Sequence, residues 1–201
     1  MESIRNKIAQ DLHDDVGATL SSILLYSNAG LHKHSNTIRE MKNTLQKINQ
    51  IARQMIDDMS DIVWAIQPMQ DSMERIMYRM QYYALPLAHS RNIQLKLNFT
   101  EEIKQLNLDM TKRKSIYLIF KEAFTNSLKY AQASCIEIQF YLRDGHLHLI
   151  IQDNGTGFNR EEVQKGNGLT NMQSRAAECG GMLEITSAQH KGTQVHLQIP
   201  M

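Results

Sequence analysis

From position 38 onward the apolar residues run Ile38, Met41, Leu45, Ile48, Ala52, Met55, Met59, Ile62 and Ile66. The steps alternate three and four without a break, which is the seam of a coiled coil or helical bundle. Thr37-Ile-Arg-Glu40 has the form of a capping box at its start, and Pro68 stops it. Residues 3–31 predict an earlier helix with a broader stripe: Ile4, Ile8, Leu12, Val16, Leu20, Ile23 and Leu24. A polar turn, Leu31-His-Lys-His-Ser-Asn36, separates the two, so they predict an antiparallel hairpin. A lone hairpin leaves each seam half covered. A second copy of the chain closes it into a four-helix bundle, so a homodimer is expected.

After Pro68 the pattern changes. Residues 71–90 predict a helix carrying Met73, Ile76, Met77, Met80, Tyr83, Ala84 and Leu87 on one side. Ile93 to Phe99 alternates as a strand, and 109–131 is a long helix. Strands follow at Ile136 to Leu142, His146 to Gln152, Met182 to Thr186 and Gln194 to Ile199, with a helix over 168–179. This order predicts an α+β chain: a helical hairpin over 1–68, then a layered α/β sandwich over 71–201. Glycine placement agrees, because eight of the ten glycines fall between 145 and 192 and only Gly17 and Gly30 lie in the hairpin.

Composition narrows the function class. The 201 residues carry a net charge of +1, which lacks the basic excess of a dedicated nucleic-acid binder. Cys135 and Cys179 are far apart with no ligand spacing around them, so neither a disulfide framework nor a zinc site is expected. No 18-residue apolar run occurs, and the first residues lack the apolar core of a signal peptide. A cytoplasmic location is expected. His32, His34, His146 and His148 pair at spacings that suggest metal, but two ligands without a third are insufficient, and exposed polar positions are expected instead. The methionines between 41 and 77 are expected to fill the core of the bundle and the neighbouring helix.

Four clusters in the second domain could carry chemistry. Glu122, Asn126 and Lys129 or Tyr130 are spaced to project from one face of the long helix. A carboxylate, an amide oxygen and an ammonium so aligned could position water, Mg²⁺ and a phosphate, although alone they equally describe a solvated face. Asp153-Asn-Gly155-Thr-Gly157-Phe158 follows an apolar strand, where a β-turn is the plainer reading. Gly166-Asn-Gly168-Leu169 opens a helix, where free N–H groups and the dipole favour an anion. Lys191-Gly192-Thr193 precedes the last strand and is equally readable as a hairpin turn. Neither GxxxxGK[ST] nor GxGxxG is present.

The order of these clusters resembles the catalytic ATP-binding domain of histidine kinases, within the gyrase/Hsp90/histidine-kinase/MutL superfamily (HATPase_c, the Bergerat type of α/β sandwich). Glu122 to Ala131 resembles the N box, Asp153 to Phe158 the G1 box, Gly166 to Leu169 the G2 box, and Gly192-Thr193 the terminal glycine-threonine. The resemblance implies that Asn126 holds Mg²⁺ and that Asp153 accepts a hydrogen bond from the adenine amino group of ATP. It also implies that Gly155, Gly157, Gly166 and Gly168 shape a short lid over the phosphates, with Lys129 and Tyr130 along the nucleotide.

Ile8-Ala-Gln-Asp-Leu12-His13-Asp14-Asp15-Val16-Gly17 is similar to the phosphoacceptor box of the HisKA_3 subfamily. Of the eight histidines, His13 alone has acids on both sides. Such chemistry needs a neutral imidazole nitrogen as nucleophile and a carboxylate, here Asp14, to orient or deprotonate the other nitrogen. The resemblance implies autophosphorylation of His13 by Mg·ATP, a hinge near Pro68 that unites the two domains, and transfer to an aspartate in the receiver domain of a response regulator. Members with phosphatase activity carry glutamine four residues after the acid. Ala18 stands there, so strong phosphatase activity is not expected. Known members carry an upstream sensor, often membrane-anchored, so this chain is expected to be a cytoplasmic portion. Two rivals remain: a dimerising nucleotide-binding module without transfer, and a serine kinase or plain ATPase on the same nucleotide fold. The hairpin bearing His13 speaks against the latter.

Overall fold

The structure is a computed structural model that describes residues 20–27, 41–49, 51, 52, 55, 59, 72–159 and 167–201. The chain divides into two compact units, Met1–Trp64 and Ala65–Met201. In the first, residues 20–27 and 41–49 are helical, as the periodicity predicts. The Lys47 ammonium lies 5.4 Å above the Tyr26 ring, which brings the two helical stretches together. Leu20, Leu24, Met41, Leu45 and Met59 of the two apolar stripes remain exposed in the single chain. The methionines between 41 and 77 therefore divide, because Met73 and Met77 are buried core residues while Met41 and Met59 face out.

The second unit has helix α1 (Met73–Ser90), strand β1 (Gln94–Phe99), a 3₁₀ turn (Glu101–Gln105) and helix α2 (Met110–Tyr130). Strands β2 (Cys135–Arg143) and β3 (His146–Asp153), helix α3 (Asn167–Glu178), and strands β4 (Met182–Ser187) and β5 (Thr193–Pro200) complete it. Each predicted helix and strand of this unit appears within two residues of its expected ends. The 3₁₀ turn was not legible beforehand. The sheet order is β1-β2-β3-β5-β4. β1 runs parallel to β2, a pairing that needs the long crossover supplied by α2, and the other pairs are antiparallel.

Alternation along the strands builds the core. Ile136, Ile138 and Phe140 of β2, Leu147, Leu149 and Ile151 of β3, and Val195, Leu197 and Ile199 of β5 are all buried. Met73, Ile76, Met77, Met80 and Ala84 of α1 and Ile116, Ile119, Phe120, Ala123 and Phe124 of α2 are buried too. Phe120 and Phe124 stack at 5.8 Å, and Tyr83 of α1 meets both edge-on at 6.2 Å. Its hydroxyl is paired with Thr125 Oγ1 at 3.1 Å, which pins α1 to α2. Asp109 caps α2 by accepting from the Lys112 N–H at 2.8 Å.

His148 corrects the expectation of an exposed polar residue. It is only 9% exposed, stacks on Tyr141 at 5.0 Å, and its Nδ1 lies 3.0 Å from His196 Nε2 on β5. Strand pairing caused this: His148 opposes Gln198 and His196 opposes Ile150, so the two imidazoles meet on the diagonal. Among the described residues no three His, Cys, Asp or Glu side chains form a group able to hold a metal.

Burial and the neighbouring His196 push the His148 pKa below its ordinary value. The unfolded chain then binds the proton more readily than the folded one. Stability is therefore retained above about pH 6.5 and is lost as pH falls from there toward the lower folded value. Urea midpoints measured between pH 7.5 and 5.5 should fall for the wild type, and His148→Gln should flatten that slope. Gly192 sits at φ +76°, and a Cβ there would run into the Asp153 carbonyl oxygen. Gly192→Ala should cost roughly 2–4 kcal/mol from left-handed backbone and overpacking together, a drop in Tm of about 5–15 °C by calorimetry.

Candidate functional site

The strand alternation that buries Leu147, Leu149 and Ile151 carries Asp153 onto the same inward face, at the end of β3. Asp153 is 3% exposed. A carboxylate buried this far costs several kcal/mol unless donors surround it. Three do. Oδ1 accepts from the Gly155 N–H at 3.0 Å and the Thr193 N–H at 3.2 Å, and Oδ2 accepts from the Ser127 hydroxyl at 2.8 Å. Thr193 thus serves this carboxylate through its backbone, while its hydroxyl pairs with Ser187 Oγ at 2.9 Å.

The chain after Asp153 is threaded between two other segments. Asn154 Oδ1 accepts from the Ser134 and Cys135 N–H groups at 3.0 and 2.9 Å, which ties the loop to the start of β2. The Thr156 N–H donates to Ala131 O at 2.7 Å, at the end of α2. On the other side the His190 N–H donates to Thr156 O at 2.6 Å, and the Phe158 N–H to Ser187 Oγ at 2.9 Å. The approach is so close that glycine is required. A Cβ on Gly155 would strike Ala131 O, and one on Gly157, at φ +60°, would strike Ala188 O.

On α2, immediately before Ser127, Asn126 Nδ2 donates to Glu122 Oε1, one turn earlier, at 3.2 Å. With its amide nitrogen so engaged, Asn126 presents its Oδ1 as a hard oxygen, a ligand type suited to Mg²⁺. Gly168 in the first turn of α3 lies against the same pair. A Cβ there would meet Glu122 Oε1, and Asn126 Nδ2 is 3.8 Å away. The first-turn N–H groups of α3, with Leu169 half-buried beside Gly168, thus open next to Glu122 and Asn126. Lys129 and Tyr130 are exposed beyond them, Tyr130 by 71%. The arrangement combines a buried acceptor for an amino group with a hard oxygen and a helix N-terminus suited to a metal-bound anion.

The structure therefore brings Glu122, Asn126, Asp153, Gly155, Gly157, Gly168 and Thr193 into one connected region. His13, Asp14, Ala18 and Gly166 lie outside the described residues. Sequence reasoning missed Ser127, Asn154 and Ser187. Ser127 had a signal: Phe120, Ala123, Phe124 and Ser127 follow helical spacing on the buried face of α2, and a serine on an apolar stripe needs a partner. Ser187 had none, since its three contacts come from two separate loops.

Residues 111–201 match the family model described as "Histidine kinase-, DNA gyrase B-, and HSP90-like ATPase", and residues 5–71 match a model described as "Histidine kinase" (HisKA_3). The chain is 28% identical over 99% of its length to the signal transduction histidine-protein kinase/phosphatase UhpB of Salmonella typhimurium. It is 25% identical over its whole length to the oxygen sensor histidine kinase NreB of Staphylococcus carnosus. It spans 39% and 57% of those two relatives. Among solved structures, the histidine kinase domain of the blue-light activated kinase of Erythrobacter litoralis matches with a TM-score of 0.61, at 15% identity over 90% of this chain and 95% of that one. The Acinetobacter baumannii histidine kinase AdeS matches with 0.62, at 13% identity over 94% and 98%. Those structural matches carry the α+β fold, and no helix among the described residues is long and apolar enough to cross a membrane. Between them the two models account for residues 5–71 and 111–201, and the chain belongs to the histidine kinases, with a HisKA_3 region followed by a HATPase_c domain.

Proposed function

We propose that this chain is the kinase core of a two-component sensor, in which residues 71–201 bind Mg·ATP and phosphorylate His13 on the hairpin over residues 1–68. The observation that carries the reading is the buried Asp153 carboxylate at the end of β3, held by three donors with acceptor capacity to spare and tied through Ser127 to the helix that also bears Asn126 and Glu122. A carboxylate in that setting suits the exocyclic amine of adenine. Asn126, with Glu122 beside it, would hold Mg²⁺, which when bound neutralises phosphate charge. Lys129 and Tyr130 are exposed and free to lie along the nucleotide, and the N-terminal turn of α3 suits the phosphates.

Transfer follows from positioning and charge neutralisation rather than from covalent chemistry on the nucleotide-binding domain. A neutral ring nitrogen of His13 forms a bond to the γ-phosphorus as the bond from that phosphorus to the β,γ-bridging oxygen breaks, and ADP leaves. Asp14 orients the imidazole through its other nitrogen and offsets the charge that the ring acquires. The phosphoryl group then passes to an aspartate of a response-regulator receiver domain, and His13 is regenerated. Exposure of Leu24, Met41, Leu45 and Met59 in the single chain supports a homodimer through the hairpin. We place the chain in the cytoplasm, where ATP and receiver domains reside. Ala18 leaves no side-chain amide to position an attacking water, so receiver dephosphorylation by this chain should be weak.

Incubation with Mg·ATP labelled at the γ-phosphate should give a protein-bound label that is lost in acid and retained in base, and that is absent in His13→Gln. Acid-stable label, or label persisting in that variant, would sink the assignment. Binding of a fluorescent ATP analogue should weaken about tenfold in Asn126→Ala when Mg²⁺ is present, and the difference from wild type should vanish in EDTA.

A further inference from the structure

We propose that Ser127 is a specificity-determining positioning residue, which fixes the free lone pair of Asp153 so that the pocket takes a 6-amino purine and rejects a 6-oxo purine. The inference rests on the reading of this site as an adenine-nucleotide pocket, and deepens it.

A carboxylate offers about four lone-pair sites. Gly155 and Thr193 occupy both sites of Oδ1 with backbone N–H groups that cannot turn away, because Gly155 belongs to a turn held by its own bonds and Thr193 is paired at the start of β5. Among the described residues Oδ2 receives only the Ser127 hydroxyl, at 2.8 Å. That hydroxyl has one proton, and Asp153 takes it. Toward a ligand, then, both Oδ2 and Ser127 Oγ act as acceptors alone.

Two adjacent acceptors match an amino group, which has two N–H donors. They repel a carbonyl oxygen, which would bring a third acceptor into a place where no donor is left over. Ser127 is itself 7% exposed on the apolar face of α2, beside Phe124 and Ala123, so its hydroxyl has little freedom to swing and present its proton elsewhere. Without it, Oδ2 keeps two uncommitted sites and can recruit a water. Such a water can turn a donor toward an oxo group, and discrimination falls. The alanine common to apolar helix faces would pack here equally well, so the hydroxyl is not needed to fill space.

The test is competition of ATP and ITP for a fluorescent ATP analogue on the full chain, in wild type, Ser127→Ala and Ser127→Thr. Inosine triphosphate differs from ATP at position 6 of the base, where an oxo group replaces the amine. Ser127→Ala should weaken ATP about tenfold while ITP changes little, so that the ATP-to-ITP preference falls by a similar factor. Ser127→Thr, which keeps a hydroxyl, should restore the preference. An alanine variant with wild-type ATP-to-ITP preference would overturn the inference, as would a loss that is equal for both nucleotides and tracks a lowered Tm, since that is what a purely structural serine gives. Failure of the wild type to bind ATP at all would overturn the reading of the site itself, and this inference with it.

Discussion

The burial of one carboxylate constrains everything around it. Asp153 stands on the core face of β3, where its neighbours in the alternation are Leu147, Leu149 and Ile151. Leaving that charge without donors would cost more than any single apolar contact in the unit returns. The donors come from three places: the turn that follows it, the first residue of β5, and the C-terminal part of α2. Sheet order, the glycine turn and the position of α2 are therefore coupled through this group.

The coupling explains why the glycines are where they are. For the Gly155 N–H to reach back to Asp153, the loop must pass against the end of α2, and Ala131 leaves no room for a side chain. For the Thr193 N–H to reach it from β5, the turn before that strand must lie flat against the Asp153 backbone, which Gly192 allows with its positive φ. Ser187 then ties the two loops together, accepting from Phe158 and bonding to Gly192 and Thr193. A region that looks like three unrelated turns in the sequence is one hydrogen-bonded knot. Its hydrogen bonds gather around Asp153, whereas the Glu122–Asn126 pair and the first turn of α3 offer a hard oxygen and a helix N-terminus.

Outside the site, the same sheet carries a second polar cluster with a different logic. Tyr141, His148 and His196 stack across three strands on the face away from the helices. Here no fixed charge is held. The pair shares a single hydrogen bond that a second proton would break, so this face responds to acid while the Asp153 face is built around a charge.

The local pattern alone determined the element list among the described residues: the helical stretches at 20–27 and 41–49, and the helices and all five strands of the second unit, with Gly155, Gly157 and Gly192 placed at their junctions. Those features depend on near neighbours in the chain, where a period of 3.6 or 2 leaves a direct imprint. The apolar stripes also announced side chains left uncovered in the single chain, Leu20, Leu24, Met41, Leu45 and Met59, and the order of the clusters from Glu122 to Thr193 announced the ATPase family of the second unit. Tertiary structure decided which partners these residues have. Ser127 lies 26 positions from Asp153, Thr193 lies 40, and His196 lies 48 from His148. Their meetings depend on strand order and register, and on a helix that places its buried serine opposite a strand end. A shift of one residue in that register would turn Asp153 away from α2 and part it from Ser127, although it would leave every local periodicity intact.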